Sequence, residues 1–418
     1  MDVRWHRLLD HVRTGDWVTP RRVRAYSIIM LGLAVAILGA WIVSSDGLID
    51  HNGKPVGTDF SNVYAAGTLA LRGHAADAYD PALQHAAERA VFGRDVPFFG
   101  WHYPPFFFAI AALVATLPYA LGLLLWMALS LPAYLATIRA ILPRPETLLA
   151  ATAFPAVFVN VGHGQNGFFT VALLGGALQL LERRPALAGV LIGLLAYKPQ
   201  FGLLIPLALL AGRRWITIAT AAATVGISIA LSVVILGTDV WRAFQASTAF
   251  TQSVVLEQGG TGWEKIQSIF SAVRMWGASV PLAYGVQSAL TLAVAACIVW
   301  LWRSAAAFEL KAAALALACL LATPYVLDYD LVVLGVAIAF LARHGFTRGF
   351  HPYEATALAI AWIMPLLART IMSASGVPFG LLTLVTVFTI TMMRAVSDTR
   401  AKQVLPNSFA ALHHFNSF

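Results

Sequence analysis

The chain has little of what a water-soluble protein needs. Charged residues fill only 11% of its 418 positions while hydrophobic residues fill 59%, and no soluble fold can hide that much apolar surface. Polar stretches are also short. At about 20 apolar residues per crossing helix, the length leaves room for roughly a dozen spans and a few modest loops, and excludes a separate soluble catalytic domain. Cysteine is nearly missing. The two present, Cys297 and Cys319, both fall in apolar runs, which excludes a disulfide framework and reads as packing. Neither His-Glu-x-x-His nor paired Cys-x-x-Cys spacing occurs, so no metal or other cofactor is indicated. Internal repeats are lacking too, as are the paired interrupted segments that mark an inverted-repeat transporter.

What is present is a basic chain, with a formal net charge of +8. The arginines cluster at the ends of apolar runs rather than along one polar face, which points to membrane orientation and not to nucleic acid. Residues 1–24 read as a basic cytoplasmic N-terminus with six arginines (Arg4, Arg7, Arg13, Arg21, Arg22, Arg24). The apolar run Ala25 to Val43 is too long for a signal-peptide core and reads as a retained anchor. A loop over about 44–102 then holds seven acids against four bases, which suits the non-cytoplasmic side. Within it, Asp59 to Leu71 and Pro81 to Phe92 have helical apolar spacing and are expected to lie in the membrane interface. Asp59 therefore puts a carboxylate at the water–lipid boundary.

Further apolar runs fall at about 104–118, 120–142, 147–160, 167–182, 186–197, 200–212 and 215–236. A second loop follows at about 237–280, and then runs near 281–302, 306–323, 331–342, 353–368 and 377–393. If every run crosses, Arg139, Arg144, Arg183 and Arg184 fall on the wrong side for short loops. If Tyr103 to Leu117 instead dips into the outer leaflet and returns, these arginines all become cytoplasmic. The same threading gathers Asp59, His102, residues 162–167, Lys198, the second loop and residues 325–330 outside. The expected organisation is a single polytopic domain over 25–394 and a cytoplasmic tail over 395–418.

Each polar cluster offers a particular chemistry. Trp101-His102-Tyr103-Pro104-Pro105 also suits a simple helix start, because proline is favoured in a first turn. In Gly162-His163-Gly164-Gln165-Asn166-Gly167, the glycines permit close backbone approach and the amides can bond a hydroxylated ligand, though an ordinary interspan turn has the same composition. Lys198, between apolar runs, costs about 2.5 to 3.5 kcal/mol unless it snorkels or finds an anion, and phosphate is the obvious anion. The segment Thr323 to Asp330 mixes aromatics and acids, a pattern suited to stacking on a sugar ring and bonding its hydroxyls.

Asp59 in the first loop, Tyr103-Pro104-Pro105, Gly164-Gln165-Asn166, Lys198-Pro199 and Pro324 to Asp330 follow one another in an order that resembles glycosyltransferase family 87. The likeness covers most of residues 25–345. It implies an all-α polytopic membrane protein of the C-type glycosyltransferase fold. About 12 transmembrane helices and a long first extracytoplasmic loop with amphipathic helices come with that fold.

The implied activity is inverting transfer of a mannose-like hexose at the extracytoplasmic face of the bacterial inner membrane. The donor is a polyprenyl-phosphate sugar, the acceptor a glycolipid or glycan, and the other partners are membrane lipids, with no nucleic acid. Asp59 matches the catalytic carboxylate. Lys198, with help from His102, Lys265 or Arg274, is expected to meet the donor phosphate. Tyr64, Tyr103, Gln165, Asn166, Tyr329 and Asp330 are expected to hold sugar and acceptor. The chain departs from the family's pattern at Asp328-Tyr329-Asp330, where members often carry histidine, and this leaves the sugar open. A transporter or flippase of lipid-linked sugars is the alternative, and a non-catalytic lipid-binding protein a third reading.

Overall fold

The computed structural model describes residues 3–414, and every regular element among them is helical. Only isolated bridges such as Ile266 to Leu327 interrupt this pattern. Seven helices among the described residues are long and apolar enough to cross a membrane, so the chain is a polytopic membrane protein. Alternation of these helices with shorter apolar ones gathers the polar chain ends at two opposite ends of the bundle.

The N-terminal part runs α1 (Val3–Thr14), α2 (Pro20–Val43), α3 (Thr58–Leu71), α4 (Pro81–Phe92), α5 (Phe108–Ala115) and α6 (Tyr119–Ile141). Pro20 at the first turn and Thr19 accepting from the Arg22 N–H start α2, as expected for a helix N-terminus. Ile28, Ile29, Leu33, Val35 and Ile37 are exposed along α2, which is stable only against lipid. Both expected helices of the first loop form, but α3 is not laid on a surface. Its Phe60, Val63, Ala65 and Ala66 are fully buried, and a Cβ at Gly67 would collide with the Ala111 carbonyl of α5.

The apolar stretch Pro105–Ala115 is only about 16 Å long as a helix, half of what a crossing requires. Both of its flanks are tied to the first loop: the Tyr103 carbonyl accepts from Tyr79 Oη at 2.7 Å, and Tyr119 Oη donates to the Val56 carbonyl at 2.7 Å.

The middle of the chain runs α7 (Thr147–Thr152), α8 (Pro155–His163), α9 (Gly167–Leu180), α10 (Pro185–Leu194), α11 (Ile205–Ala211), α12 (Trp215–Leu236) and α13 (Thr238–Phe250). The apolar run expected at 147–160 is split because Pro155 opens a new helix and cannot continue the old one. A Cβ at Gly193 would meet Thr224 Cβ at 2.5 Å, and Gly189 faces Thr217 and Thr220 just as tightly. Small residues thus bring α10 and α12 into close contact, the usual device of helix packing in lipid.

After α14 (Ile269–Met275) and α15 (Val280–Arg303), α16 (Phe308–Leu321) forms the axis of the bundle, with Leu310 and every residue from Ala312 to Leu321 buried. Around it stand α17 (Leu334–Arg348), α18 (Glu354–Ser375) and α19 (Phe379–His414). The helix α19 runs unbroken through the boundary expected at 394, and residues 415–418 of the expected tail lie outside the described residues.

One end of the bundle carries Arg24, Glu146, Glu182, Arg214, Arg343 and Arg394. The other carries Asp59, the turn between α8 and α9, Lys198, the 251–268 loop and the 323–330 segment.

Candidate functional site

Asp59 stands in the first turn of α3, where a carboxylate is favoured by the helix dipole. The chain around it is pinned from several sides. Thr58 Oγ1 lies 2.7 Å from His163 Nδ1, and Ser61 Oγ donates to the Thr58 carbonyl at 2.6 Å. Gly164 sits at φ +60°, and a Cβ there would stand 2.8 Å from Phe60 Cβ, so the α8–α9 turn can press against α3 only with glycine at this position.

That contact delivers Gln165, whose Nε2 donates to Asp59 Oδ2 at 2.9 Å. The Gln165 amide is itself oriented, because its Oε1 accepts from the Asn166 N–H at 2.7 Å. The other Asp59 oxygen takes no protein hydrogen bond among the described residues, and the side chain is half-buried while Thr58, Phe60 and Ser61 beside it are buried.

Asn166 Nδ2 donates to Tyr103 Oη at 2.7 Å, and the Asn166 carbonyl accepts from Tyr197 Oη at 3.1 Å. Tyr103 is held in turn through its own carbonyl, which accepts from Tyr79 Oη at 2.7 Å. The expected residues Asp59, Tyr103, Gln165 and Asn166 therefore meet. Four buried amide oxygens at this end, on Asn62, Gln84, Asn160 and Asn166, have no protein partner, and buried polar atoms of that kind are normally satisfied by water or ligand.

Lys198 and Asp330 form a second cluster. The Lys198 ammonium is 2.7 Å from Asp330 Oδ1, with both side chains almost fully buried. The other Asp330 oxygen accepts the Leu327 N–H at 3.1 Å. The Lys198 ammonium also lies 5.2 Å from the centre of the Tyr329 ring, and Asn160 Nδ2 donates to the Tyr329 carbonyl at 2.7 Å. The anion that Lys198 needs is thus already supplied by the protein.

A third cluster comes from the loop after α13. The Gln267 N–H donates to the Val326 carbonyl at 2.7 Å, and the Ile266–Leu327 bridge continues this pairing. Lys265 is thereby carried beside Asp328, and within electrostatic reach of Asp59 as well. Burial, with Arg369 nearby, holds the Lys265 ammonium below its usual pKa.

Three expected contacts are made elsewhere. Tyr64 spends its hydroxyl on the Leu117 carbonyl and packs edge-on against Tyr119. Arg274 donates to the carbonyls of Glu257 and Ala278, closing its own loop. His102 Nδ1 lies 2.8 Å from Thr251 Oγ1, and burial pushes its pKa down to about 4. The ring is therefore neutral at pH 7, and the cationic help expected of it at a phosphate is not available; it can still offer a hydrogen bond.

The sequence reading did not single out Asn62, Asn160, His163, Glu264 or Arg369. The signal for Arg369 was its position, an arginine well inside an otherwise apolar helix.

Compared with known proteins, the family model for glycosyltransferase family 87 matches residues 101–324, just over half of the chain. The matched stretch contains Tyr103, Gln165, Asn166, Lys198 and Lys265, with Asp59 ahead of it and Asp330 and Arg369 beyond it. No curated protein and no solved structure matches.

Proposed function

The chain belongs to glycosyltransferase family 87, and on that premise we propose that it transfers a hexose from a polyprenyl-phosphate sugar to a glycolipid or glycan, with inversion. The reaction takes place at the extracytoplasmic face of a bacterial inner membrane. The observation that carries the reading is Asp59: a carboxylate with one oxygen fixed by Gln165 and the other unpartnered, at the polar end of an otherwise apolar bundle.

In this reading the acceptor hydroxyl oxygen attacks the anomeric carbon while Asp59 takes its proton. The bond from that carbon to the phosphate oxygen breaks, and the electron pair leaves with the polyprenyl phosphate. Gln165 orients the base rather than the sugar. Tyr103, Asn166 and Tyr329 line the sugar side. The Lys198–Asp330 pair holds the 327–330 turn in place. Shorter apolar helices such as Gly167–Leu180 and Pro185–Tyr197 bring the crossings to about twelve, with the arginine-rich end cytoplasmic, in keeping with the positive-inside rule.

The test is transfer by purified protein supplied with polyprenyl-phosphate sugars, with nucleotide sugars as control. Asp59→Asn keeps the shape but cannot take the proton, so turnover is expected to fall by about 10² to 10⁴ with donor binding retained. Retention of more than about a tenth of the wild-type rate removes Asp59 as the base. Movement of lipid-linked sugar across vesicles without a new glycosidic bond would favour a transporter instead.

A further inference from the structure

Arg369 lies on α18 six residues before its end at Ser375, about 9 Å along the axis. The side chain is 48% exposed, and its guanidinium presents five N–H donors, which beside lipid are expensive without an anion. Among the described residues the Arg369 guanidinium donates no hydrogen bond. Its nearest carboxylate, that of Glu264, is 4.0 Å away, the outer limit of an ion pair.

The ammonium of Lys265, next to Glu264 in the chain, donates no hydrogen bond either among the described residues, yet it stands close enough to Arg369 for the two cations to repel. Two cations from separate elements converge with their donors unused. Asp328, Asp59, Glu264, Lys54 and His163 are the other ionisable groups within reach. Lys198 is the opposite case, with its charge closed on Asp330 at 2.7 Å.

We infer that Lys265 and Arg369 form the subsite for the donor's phosphate, so that the charge released on the leaving oxygen grows between two cations that no carboxylate holds at hydrogen-bonding distance. The inference rests on the proposed lipid-phosphate donor. It moves the phosphate away from Lys198 and adds a residue beyond the matched family stretch. The donor's phosphodiester offers two non-bridging oxygens and the departing polyprenyl monophosphate three, so the acceptors for the planar guanidinium fork and the ammonium increase as the bond breaks.

The experiment measures binding of a polyprenyl monophosphate and of the matching uncharged polyprenol to the protein in phosphatidylcholine nanodiscs. Wild type is expected to prefer the phosphate by at least about tenfold, since a hydrogen bond to a charged group is worth that much. Arg369→Gln and Lys265→Gln should each remove most of the preference while leaving polyprenol binding unchanged. Arg369→Lys should keep part of it, and serves if Arg369→Gln does not fold. Glu264→Gln should leave the preference intact or increase it.

Unchanged preference in both glutamine variants overturns the subsite. So does a Glu264→Gln loss equal to that of Arg369→Gln, because Arg369 would then serve only its ion pair. Inorganic phosphate competing as well as the lipid phosphate, or equal binding of phosphatidylglycerol, would overturn its assignment to the donor. The transfer assay is read separately. No transfer by wild type with the preference intact sinks the proposed reaction but keeps the anion subsite, whereas normal transfer with unaltered variants sinks the subsite alone.

Discussion

At the arginine-rich end of the bundle several charges are closed in ion pairs, although Arg139 Nη1 and Arg214 Nε are buried without a protein partner. Arg394, almost fully buried, meets Glu354 at 2.8 Å and Asp398 at 3.0 Å. Arg24 meets Glu146 at 2.9 Å, and Arg214 meets Glu182 at 3.2 Å. At the other end, Asp59 is held by an amide instead of a cation, the carboxylate nearest Arg369 is 4.0 Å away, and three asparagine oxygens are unsatisfied. Burial differs along with pairing, since Arg394 is 3% exposed and Arg369 is 48% exposed. Charges that complete one another hold helices together. In the proposed function, charges left incomplete are the ones that meet substrate. Lys198 and Asp330 are the exception at the open end, and their pairing marks them as structural.

The largest expected effect tests the open end directly. Asp59→Asn should lower turnover by about 10² to 10⁴ with unchanged thermal unfolding of the solubilised protein, because no ion pair is broken. Next come the closed pairs. Arg394→Met and Lys198→Met each strand a buried carboxylate and should cost about 3 to 5 kcal/mol of stability, with the double variant Lys198→Met/Asp330→Leu recovering most of the loss. Chemical unfolding in detergent measures this. A Lys198→Met protein as stable as wild type but weak in donor binding would break the comparison, placing Lys198 with the open groups.

A pH effect follows from Glu88, which is buried and accepts from the backbone N–H groups of Phe99 and Gly100 at 3.1 Å. Burial raises its pKa to about 7. The folded protein therefore holds a proton that the unfolded chain releases above about 4.5, so stability is fullest below that pH and falls as pH rises to about 7, by about 3 kcal/mol. Glu88→Gln should flatten the profile of unfolding midpoint over that window. Since Glu88 anchors the strand of chain leading to His102 and Tyr103, a slope that survives the substitution would remove it as the cause.

The smallest effect sharpens the role of Gln165. Gln165→Leu removes one hydrogen bond to a carboxylate and should lower turnover by about ten- to a hundredfold with KM for the acceptor nearly unchanged. A change mainly in acceptor KM would return Gln165 to sugar binding.

The helices were legible in the residues because lipid reads local composition. Runs of about 20 apolar residues become spans wherever they occur, and the apolar spacing of 59–71 and 81–92 marks α3 and α4 to within a residue. Breaks such as that before Pro155 follow from a ring that lacks an N–H. The site was legible only as an inventory. Asp59, Tyr103, Gln165 and Asn166 announce polar chemistry at the ends of apolar runs, and the order of these motifs carried the family resemblance.

Which atom meets which was decided by folding alone. Gln165 reaches Asp59 across 106 positions, and Lys198 reaches Asp330 across 132. The first pairing depends on how the α8–α9 turn packs on α3, a contact that glycine allows at Gly164. Tyr64 and Arg274 have the right chemistry for a ligand and nevertheless turn to backbone carbonyls. Arg369 lies 105 positions from Glu264 and gains meaning only when α18 packs beside the second loop. Hydropathy is a property of neighbours along the chain, and so the sequence by itself determined the membrane-spanning architecture. Charge pairing is a property of neighbours in space, and only the tertiary structure decided which polar groups are closed and which remain open.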